Sequence, residues 1–168
     1  MAKPRQAANS RGEAIVAEET GLGPFQLRVR TGSVTFHLDE PISVGGMGAG
    51  PNPYDLLSAA LAASSISTMR VYASIRKWRL DSIRVRLVYI RNAPPHRDAM
   101  LRQVALVGPL TEAQRNSLLH IVERCPIQLS LGRALEVRTE LLSETVLDDS
   151  LAETRGEHMR QIMKVCEK

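Results

Sequence analysis

The pattern of apolar and polar positions changes its period several times along the chain, and each change predicts an element. An alternation of two residues, which is typical of half-buried strands, runs through residues 25–30 and 33–38. The Thr31-Gly32 turn between them predicts a β-hairpin. Residues 13–19 predict a further, less regular strand. The same alternation returns in residues 80–91, 101–107 and 135–141, which predict three more strands.

A period of three to four residues marks the helices. Residues 53–77 carry apolar or small side chains on nearly every face, which predicts a long, buried central helix that begins at Asn52-Pro53. Thr111-Glu112-Ala113-Gln114 has the pattern of a capping box and predicts a helix that ends near Arg124. Pro126 predicts the start of a short helix over residues 127–131, and residues 143–168 predict a charged C-terminal helix.

A glycine-rich segment, residues 39–52, separates the hairpin from the central helix and predicts a loop. A phosphate-binding loop is the alternative, but the dinucleotide-binding spacing and the Walker lysine are both missing, which favours a tight loop. The order of strands and helices predicts an α+β fold. One domain over residues 13–142 is expected, with a flexible tail over 1–12 and a helical extension over 143–168.

Composition narrows the function classes. The net charge of +4 would admit nucleic acid, but the basic residues are spread and are not interleaved with aromatic ones, so nucleic-acid binding is not expected. No secretory signal and no membrane-spanning segment is predicted, so a cytoplasmic location and no membrane partner are expected. Two cysteines give no disulfide framework. Neither a metal nor a cofactor is expected, because the histidines lack ligand spacing: His37, His96, His120 and His158.

Several stretches, in order, resemble the OsmC/Ohr family of thiol peroxidases. They lie within residues 25–141 and are Asp39-Glu40-Pro41 with Gly45-Gly46, Gly50-Pro51-Asn52-Pro53-Tyr54-Asp55-Leu56-Leu57, Thr68-Met69-Arg70-Val71-Tyr72-Ala73, Gly108-Pro109-Leu110-Thr111 and Cys125-Pro126-Ile127. The resemblance implies an OsmC-like fold with antiparallel sheets around the long central helix. It also implies an intertwined homodimer with two sites at the subunit interface.

In that family one cysteine attacks a hydroperoxide and a second cysteine resolves the sulfenic acid. By resemblance, Ser64 stands at the first position in this chain and Cys125 at the second. The resemblance also assigns Asp55 as the carboxylate at the start of the helix, and makes Arg28 and Arg30 candidates for the arginine that holds the thiolate. Gln128 stands where many related members have a histidine.

The serine changes the expected function. A hydroxyl neither ionises near neutral pH nor is oxidised as a thiolate is, and no base is evident that would make Ser64 a hydrolytic nucleophile. The sequence therefore predicts a divergent OsmC-like protein linked to hydroperoxide stress. It would have lost the two-cysteine cycle and kept an interface pocket for a small apolar or peroxidic ligand. On this interpretation Ser64→Cys would create dithiol-dependent hydroperoxide reduction.

The alternative is a one-cysteine hydroperoxide reductase that acts through Cys125 and an external dithiol reductant. The helix start at Pro126 and the charge of Arg124 favour a reactive thiol there. Burial, which is common for free cysteines, favours an inert one. Cys166, close to the end of the charged C-terminal helix, is expected to be an inert, exposed thiol.

Overall fold

The computed structural model describes residues 15–93, 97–132 and 136–141. The chain divides into two compact units, Met1–Asn52 and Pro53–Lys168. The predicted tail over residues 1–12 and the predicted extension over 143–168 lie outside the described residues, as does Cys166.

The first unit contains a three-stranded antiparallel sheet in the order β1-β2-β3, formed by β1 (Ile15–Glu19), β2 (Leu27–Thr31) and β3 (Val34–Leu38). The predicted hairpin is confirmed. Gly32 turns it with a φ of 54°, a left-handed conformation that glycine adopts without steric cost. Alternation along β2 places Val29 in the interior and the arginines beside it on the surface.

The glycine-rich loop after β3 is closed by its own hydrogen bonds. The buried carboxylate of Asp39 accepts the backbone N–H groups of Met47 and Ala49, both at 3.1 Å. Backbone carbonyl oxygens within the loop accept hydrogen bonds from the N–H groups of residues 44, 45, 46 and 48. Gly46 lies so near the carbonyl oxygen of Glu40 that a Cβ would stand 1.8 Å from it. The amides that a phosphate cradle would need are therefore used within the loop, which supports the tight-loop interpretation.

The described residues of the second unit form three helices and a three-stranded sheet. Its elements are α1 (Pro53–Ile75), β4 (Ser82–Ala93), β5 (Arg97–Val107), α2 (Glu112–Val122), α3 (Pro126–Leu131) and β6 (Glu136–Leu141). The capping box predicted at Thr111 and Gln114 is present at the start of α2. Strand β5 begins earlier than the predicted residue 101, because Arg97, Ala99 and Met100 also pair with β4.

The second sheet is mixed, which differs in one strand pair from the antiparallel sheets that the family resemblance implies. Strands β4 and β5 are antiparallel, but β5 and β6 are parallel. The reason lies in the connection, because the chain passes through α2 and α3 between these two strands, and a helical crossover returns a strand in the same direction. Alternation within a strand carries no information about its direction, so the pattern could not reveal this.

Helix α1 buries one stripe of side chains rather than nearly all of its surface. The stripe is Leu61, Ser65, Met69 and Ala73, at steps of four residues. On the opposite side Val71 and Ile75 are 58% and 76% exposed. Among the described elements of the second unit, α1 packs mainly against β4, α2 and α3, and the side that carries Val71 and Ile75 remains exposed. No helix in the described ranges is long and apolar enough to cross a membrane.

Two apolar clusters hold the second unit together. The larger cluster includes Met69, Val104 and Leu118 and joins α1, the sheet and α2. The smaller cluster consists of Leu61, Met100 and Cys125, and partly buried side chains from α1, β4, α3 and β6 pack against it. The smaller cluster fixes where the cysteine lies.

Candidate functional site

Cys125 is the N-cap residue of α3, directly after the turn that ends α2. Pro126 occupies the first turn of α3, as the sequence predicted. The Sγ atom of Cys125 accepts the backbone N–H of Gln128 at 3.4 Å, which takes the place of the hydroxyl that usually caps a helix. The residue is 0% exposed. Cys125 is thus held in the interior by both its backbone position and its side chain.

The residue that faces Cys125 is Ser65. Its Oγ atom lies 4.0 Å from Cys125 Sγ, and the side chain is fully buried. Ser64, the position indicated by the family resemblance, is partly exposed, and its carbonyl oxygen accepts a hydrogen bond from Thr68 at 2.8 Å. Neighbouring residues on a helix point about 100° apart, so a one-residue difference decides which serine reaches the cysteine. The structure brings Ser65, and not Ser64, to Cys125.

The hydrogen bonds of Ser65 define what its hydroxyl can do. Ser65 Oγ donates to the carbonyl oxygen of Leu61 at 2.7 Å and accepts from Arg102 Nη1 at 3.1 Å. A hydroxyl has one proton, and here it is committed to Leu61. The thiol of Cys125 is therefore the donor in the contact with Ser65. No base accepts the Ser65 proton, so the arrangement does not support a hydrolytic serine.

Arg102 on β5 is the main residue that the sequence analysis missed. It is 0% exposed, and its Nε and Nη2 atoms donate to Thr139 Oγ1 on β6 at 3.1 and 2.7 Å. Nη2 also donates to Glu123 Oε1 at 3.0 Å. A signal was present in the sequence, because Arg102 occupies the inward position between Met100 and Val104. A charged residue in an apolar alternation indicates a buried, paired group.

Glu123 completes the polar cluster from the turn after α2. Thr139 Oγ1 donates to Glu123 Oε1 at 2.7 Å, and Gln128 Nε2 donates to Glu123 Oε2 at 2.9 Å. Burial alone would raise the pKa of the Glu123 carboxyl. The hydrogen bonds from Thr139 and Gln128, together with the charge of Arg102, outweigh burial and hold the pKa below its usual value. Glu123 is therefore ionised at neutral pH and balances the buried guanidinium.

These contacts close into a ring, which we call the Cys125 ring. Its members are Arg102, Ser65, Cys125, Gln128 and Glu123, in that order and back to Arg102. Thr139 on β6 accepts a hydrogen bond from Arg102 and donates one to Glu123, which adds a further link between these two ring members. The ring links α1, β5, the α2–α3 turn and α3, and the sulfur atom of Cys125 is part of it.

Two tyrosines stand at the edge of the apolar cluster around Cys125. The rings of Tyr54 and Tyr89 lie 4.5 Å apart, and Tyr89 packs against the cluster. Tyr89 Oη donates to Asp98 Oδ2 at 2.7 Å. Burial, reinforced by the hydrogen bond and the charge of Asp98, raises the pKa of Tyr89 far above its usual value. The phenol therefore stays protonated. Tyr54 and Tyr89 together form an uncharged surface beside the cluster, which we call the tyrosine wall.

The other residues assigned by resemblance are not members of the Cys125 ring. Asp55 is exposed in the first turn of α1. It is about 15 Å from Ser65 along the helix axis, at the usual rise per residue. Arg28 and Arg30 belong to the first unit, where both are exposed and pair with Glu18 at 3.2 and 3.8 Å. Within the described part of the chain, no group of three or more His, Cys, Asp or Glu side chains could hold a metal ion.

Comparison with known proteins places this fold in a family. A model of the family described as "OsmC-like protein" matches residues 46–140, which is more than half of the chain. The chain belongs to the OsmC-like protein family. No curated protein gives a significant match to the sequence.

Solved structures share the fold at low sequence identity. The organic hydroperoxide resistance protein OsmC from Legionella pneumophila is 20% identical with a TM-score of 0.62, over 78% of this chain and 96% of that one. An OsmC-like protein from Mycoplasma pneumoniae is 16% identical with a TM-score of 0.62, over 79% and 97%. The organic hydroperoxide resistance protein OhrB of Bacillus subtilis is 18% identical with a TM-score of 0.58, over 77% and 97%. At these identities the likeness establishes the α+β fold.

Proposed function

We propose that this protein is a divergent OsmC-like protein, linked to hydroperoxide stress, in which the two-cysteine peroxidase cycle is lost. The observation that carries the proposal is the contact between Cys125 and a serine hydroxyl, 4.0 Å from sulfur to oxygen, where a two-cysteine site needs a second thiol. An oxygen atom cannot form the disulfide that resolves a sulfenic acid. The family membership and the hydroperoxide resistance proteins that share the fold supply the link to hydroperoxides.

The retained activity on this proposal is binding. The apolar side chains around Cys125 and the tyrosine wall favour a small apolar or peroxidic ligand. We place the pocket at the interface of a homodimer in the cytoplasm. Family membership and the exposed apolar side of α1 support the dimer.

A one-cysteine hydroperoxide reductase is the second candidate, supported by the position of Cys125 at the N-cap of α3. In this reaction the Cys125 thiolate would attack the terminal oxygen of ROOH, the O–O bond would break, and the alkoxide would leave as ROH after protonation. The resulting sulfenic acid would be reduced by an external dithiol, which gives back the thiol and releases water and the oxidised dithiol. Burial of Cys125 and its bond to Ser65 weigh against this candidate.

The first test is turnover of cumene hydroperoxide with dithiothreitol, on the wild-type protein and on Cys125→Ser. We expect no turnover above the background reaction from either protein. Turnover that disappears in Cys125→Ser would instead establish the one-cysteine reductase.

A matched pair of substitutions tests the lost cycle directly. Ser65→Cys would place a thiol against Cys125, and we expect it to gain dithiol-dependent turnover of the same hydroperoxide. Ser64→Cys, which the family resemblance favours, adds the same side chain one residue away, and we expect it to remain inactive. Activity in Ser64→Cys alone would mean that the reactive site is not the contact between Ser65 and Cys125.

A further inference from the structure

The Cys125 ring places a fully buried guanidinium and a partly exposed carboxylate around the thiol. Arg102 is 0% exposed on its side chain, whereas Glu123 is 42% exposed. Glu123 is also only two residues before Cys125 in the chain. The ion pair between Glu123 and Arg102, at 3.0 Å, therefore ties the segment that carries the cysteine to β5.

Each side of the ring restrains the sulfur atom. Ser65 donates its one proton to Leu61 and accepts from Arg102, so its remaining lone pair can accept the thiol proton. Gln128 holds the sulfur through its backbone N–H and holds Glu123 through its side-chain amide. Because the sulfur has no exposed surface, a reagent reaches Cys125 only after residues around it separate. Within the ring, the Glu123–Arg102 pair is a contact with a partly exposed member.

We propose that Arg102 and Glu123 are positioning residues that keep Cys125 closed, so that access to the thiol requires local opening of the Cys125 ring at the Glu123–Arg102 ion pair. The inference rests on the site proposed above. It adds the step that would limit oxidation of Cys125 by hydroperoxide or any other electrophile. Local openings of this kind are governed by a few interactions and can be far less costly than global unfolding.

The test measures the rate at which Cys125 reacts with N-ethylmaleimide under native conditions. The protein carries Cys166→Ser, so that Cys125 is its only thiol. We expect Glu123→Gln to raise the rate about fivefold, the factor implied by loss of one charge-assisted hydrogen bond on a partly exposed, screened side chain. Glu123→Asp, which keeps the charge on a shorter side chain, is expected to give a labelling rate between those of the protein with Glu123 and of Glu123→Gln.

Two controls separate local opening from general loss of stability. Leu118→Ala removes core volume in the larger apolar cluster and leaves the ring intact, so it should lower the unfolding midpoint without raising the labelling rate. Glu140→Gln removes a carboxylate one residue from Thr139 and should leave the rate unchanged. Rates that follow global stability across all variants, Leu118→Ala included, would overturn the inference.

A second variant covers the case in which Glu123→Gln does not fold. Gln128→Met removes the amide that holds Glu123 and keeps the backbone donor to Cys125. It should raise the labelling rate, and an unchanged rate would also count against the inference. Labelling reports access to the thiol whether or not the protein turns over peroxide, so the outcome is independent of the activity assay.

Discussion

Among the described residues, the carboxylate of Glu123 balances the buried charge of Arg102 in the Cys125 ring. The buried side chain of Arg102 places a guanidinium charge in the interior beside Ser65 and Glu123. Glu123 is the acid that faces it, supported by Thr139 and Gln128. Removing one partner of such a pair is costly, because the other charge stays buried.

Stability should therefore depend on pH through Glu123. Its pKa is lower in the folded protein than in the unfolded chain, so the carboxylate contributes stability above the unfolded value of about 4.3, and this is lost as pH falls through the folded value. Near pH 7 we expect Glu123→Gln to be less stable by about 1 kcal/mol, since the side chain is partly exposed and screened. Urea unfolding of both proteins at decreasing pH should show the difference shrinking. A difference that stays constant would show that the charge of Glu123 is not involved.

The sequence predicted some residues of this site and not others. Cys125 at the start of a helix followed from Pro126, because the ring of proline suits the first helical turn. The serine assigned as the partner of Cys125 was Ser64, one residue from Ser65, which makes the contact. The two side chains are chemically identical, and the small side chains around them do not indicate which face of the helix is buried. Arg102 could have been suspected from its inward position in β5, but its partners Glu123 and Thr139 come from a turn and a strand that only the fold brings together.

Helix α1 ends in a backbone motif that its sequence does not suit well. The N–H of Trp78 bonds to the carbonyl oxygen of Ala73 at 2.9 Å, and the N–H of Lys77 bonds to that of Ser74 at 3.0 Å. These are the two bonds of a Schellman motif, which places Lys77 in the left-handed region with a φ of 56°. Glycine is the usual residue there, because a Cβ makes this conformation strained. The predicted helix extended to Lys77 because no glycine marked its end.

Lys77→Gly should stabilise the protein. Relief of the left-handed strain, about 1–2 kcal/mol, exceeds the added entropy of a glycine in the unfolded chain, so we expect a net gain of about 0.5–1 kcal/mol. The measurement is the urea midpoint of Lys77→Gly beside Lys77→Ala. The alanine variant loses the same charge and keeps the Cβ, so it should show no gain. Equal shifts in both variants would trace the effect to the lysine charge.

The elements themselves were more predictable than their arrangement. The capping box at Thr111 and the alternation in β2 and β3 are local signals, and the elements they predict are present. The parallel pairing of β5 and β6 depends on the crossover through α2 and α3, which no local pattern specifies. The exposed side of α1 was not predicted for the same reason, because the composition of a helix does not show which elements pack against it.

At the scale of the whole molecule, one side of α1 exposes apolar side chains. Val71 and Ile75 lie one turn apart on the side opposite the buried stripe, and both are more than half exposed. Adjacent exposed apolar residues on one face are typical of interaction surfaces. A second copy of the chain is the occupant that membership of this family favours.

We expect the wild-type protein to sediment as a dimer, at twice the 18.5 kDa of one chain. The double substitution Val71→Glu and Ile75→Glu should shift it to monomer, because it would bury carboxylates from both subunits at the dimer interface without partners, and burial of an unpaired charge is strongly unfavourable. Leu129→Glu is the control, since Leu129 is 65% exposed on α3, and α3 packs against the cluster that contains Leu61 of the buried stripe through Ile127 and Leu131. Analytical ultracentrifugation over a range of concentrations measures all three. If the double variant remained dimeric, the interface would have to lie on another surface.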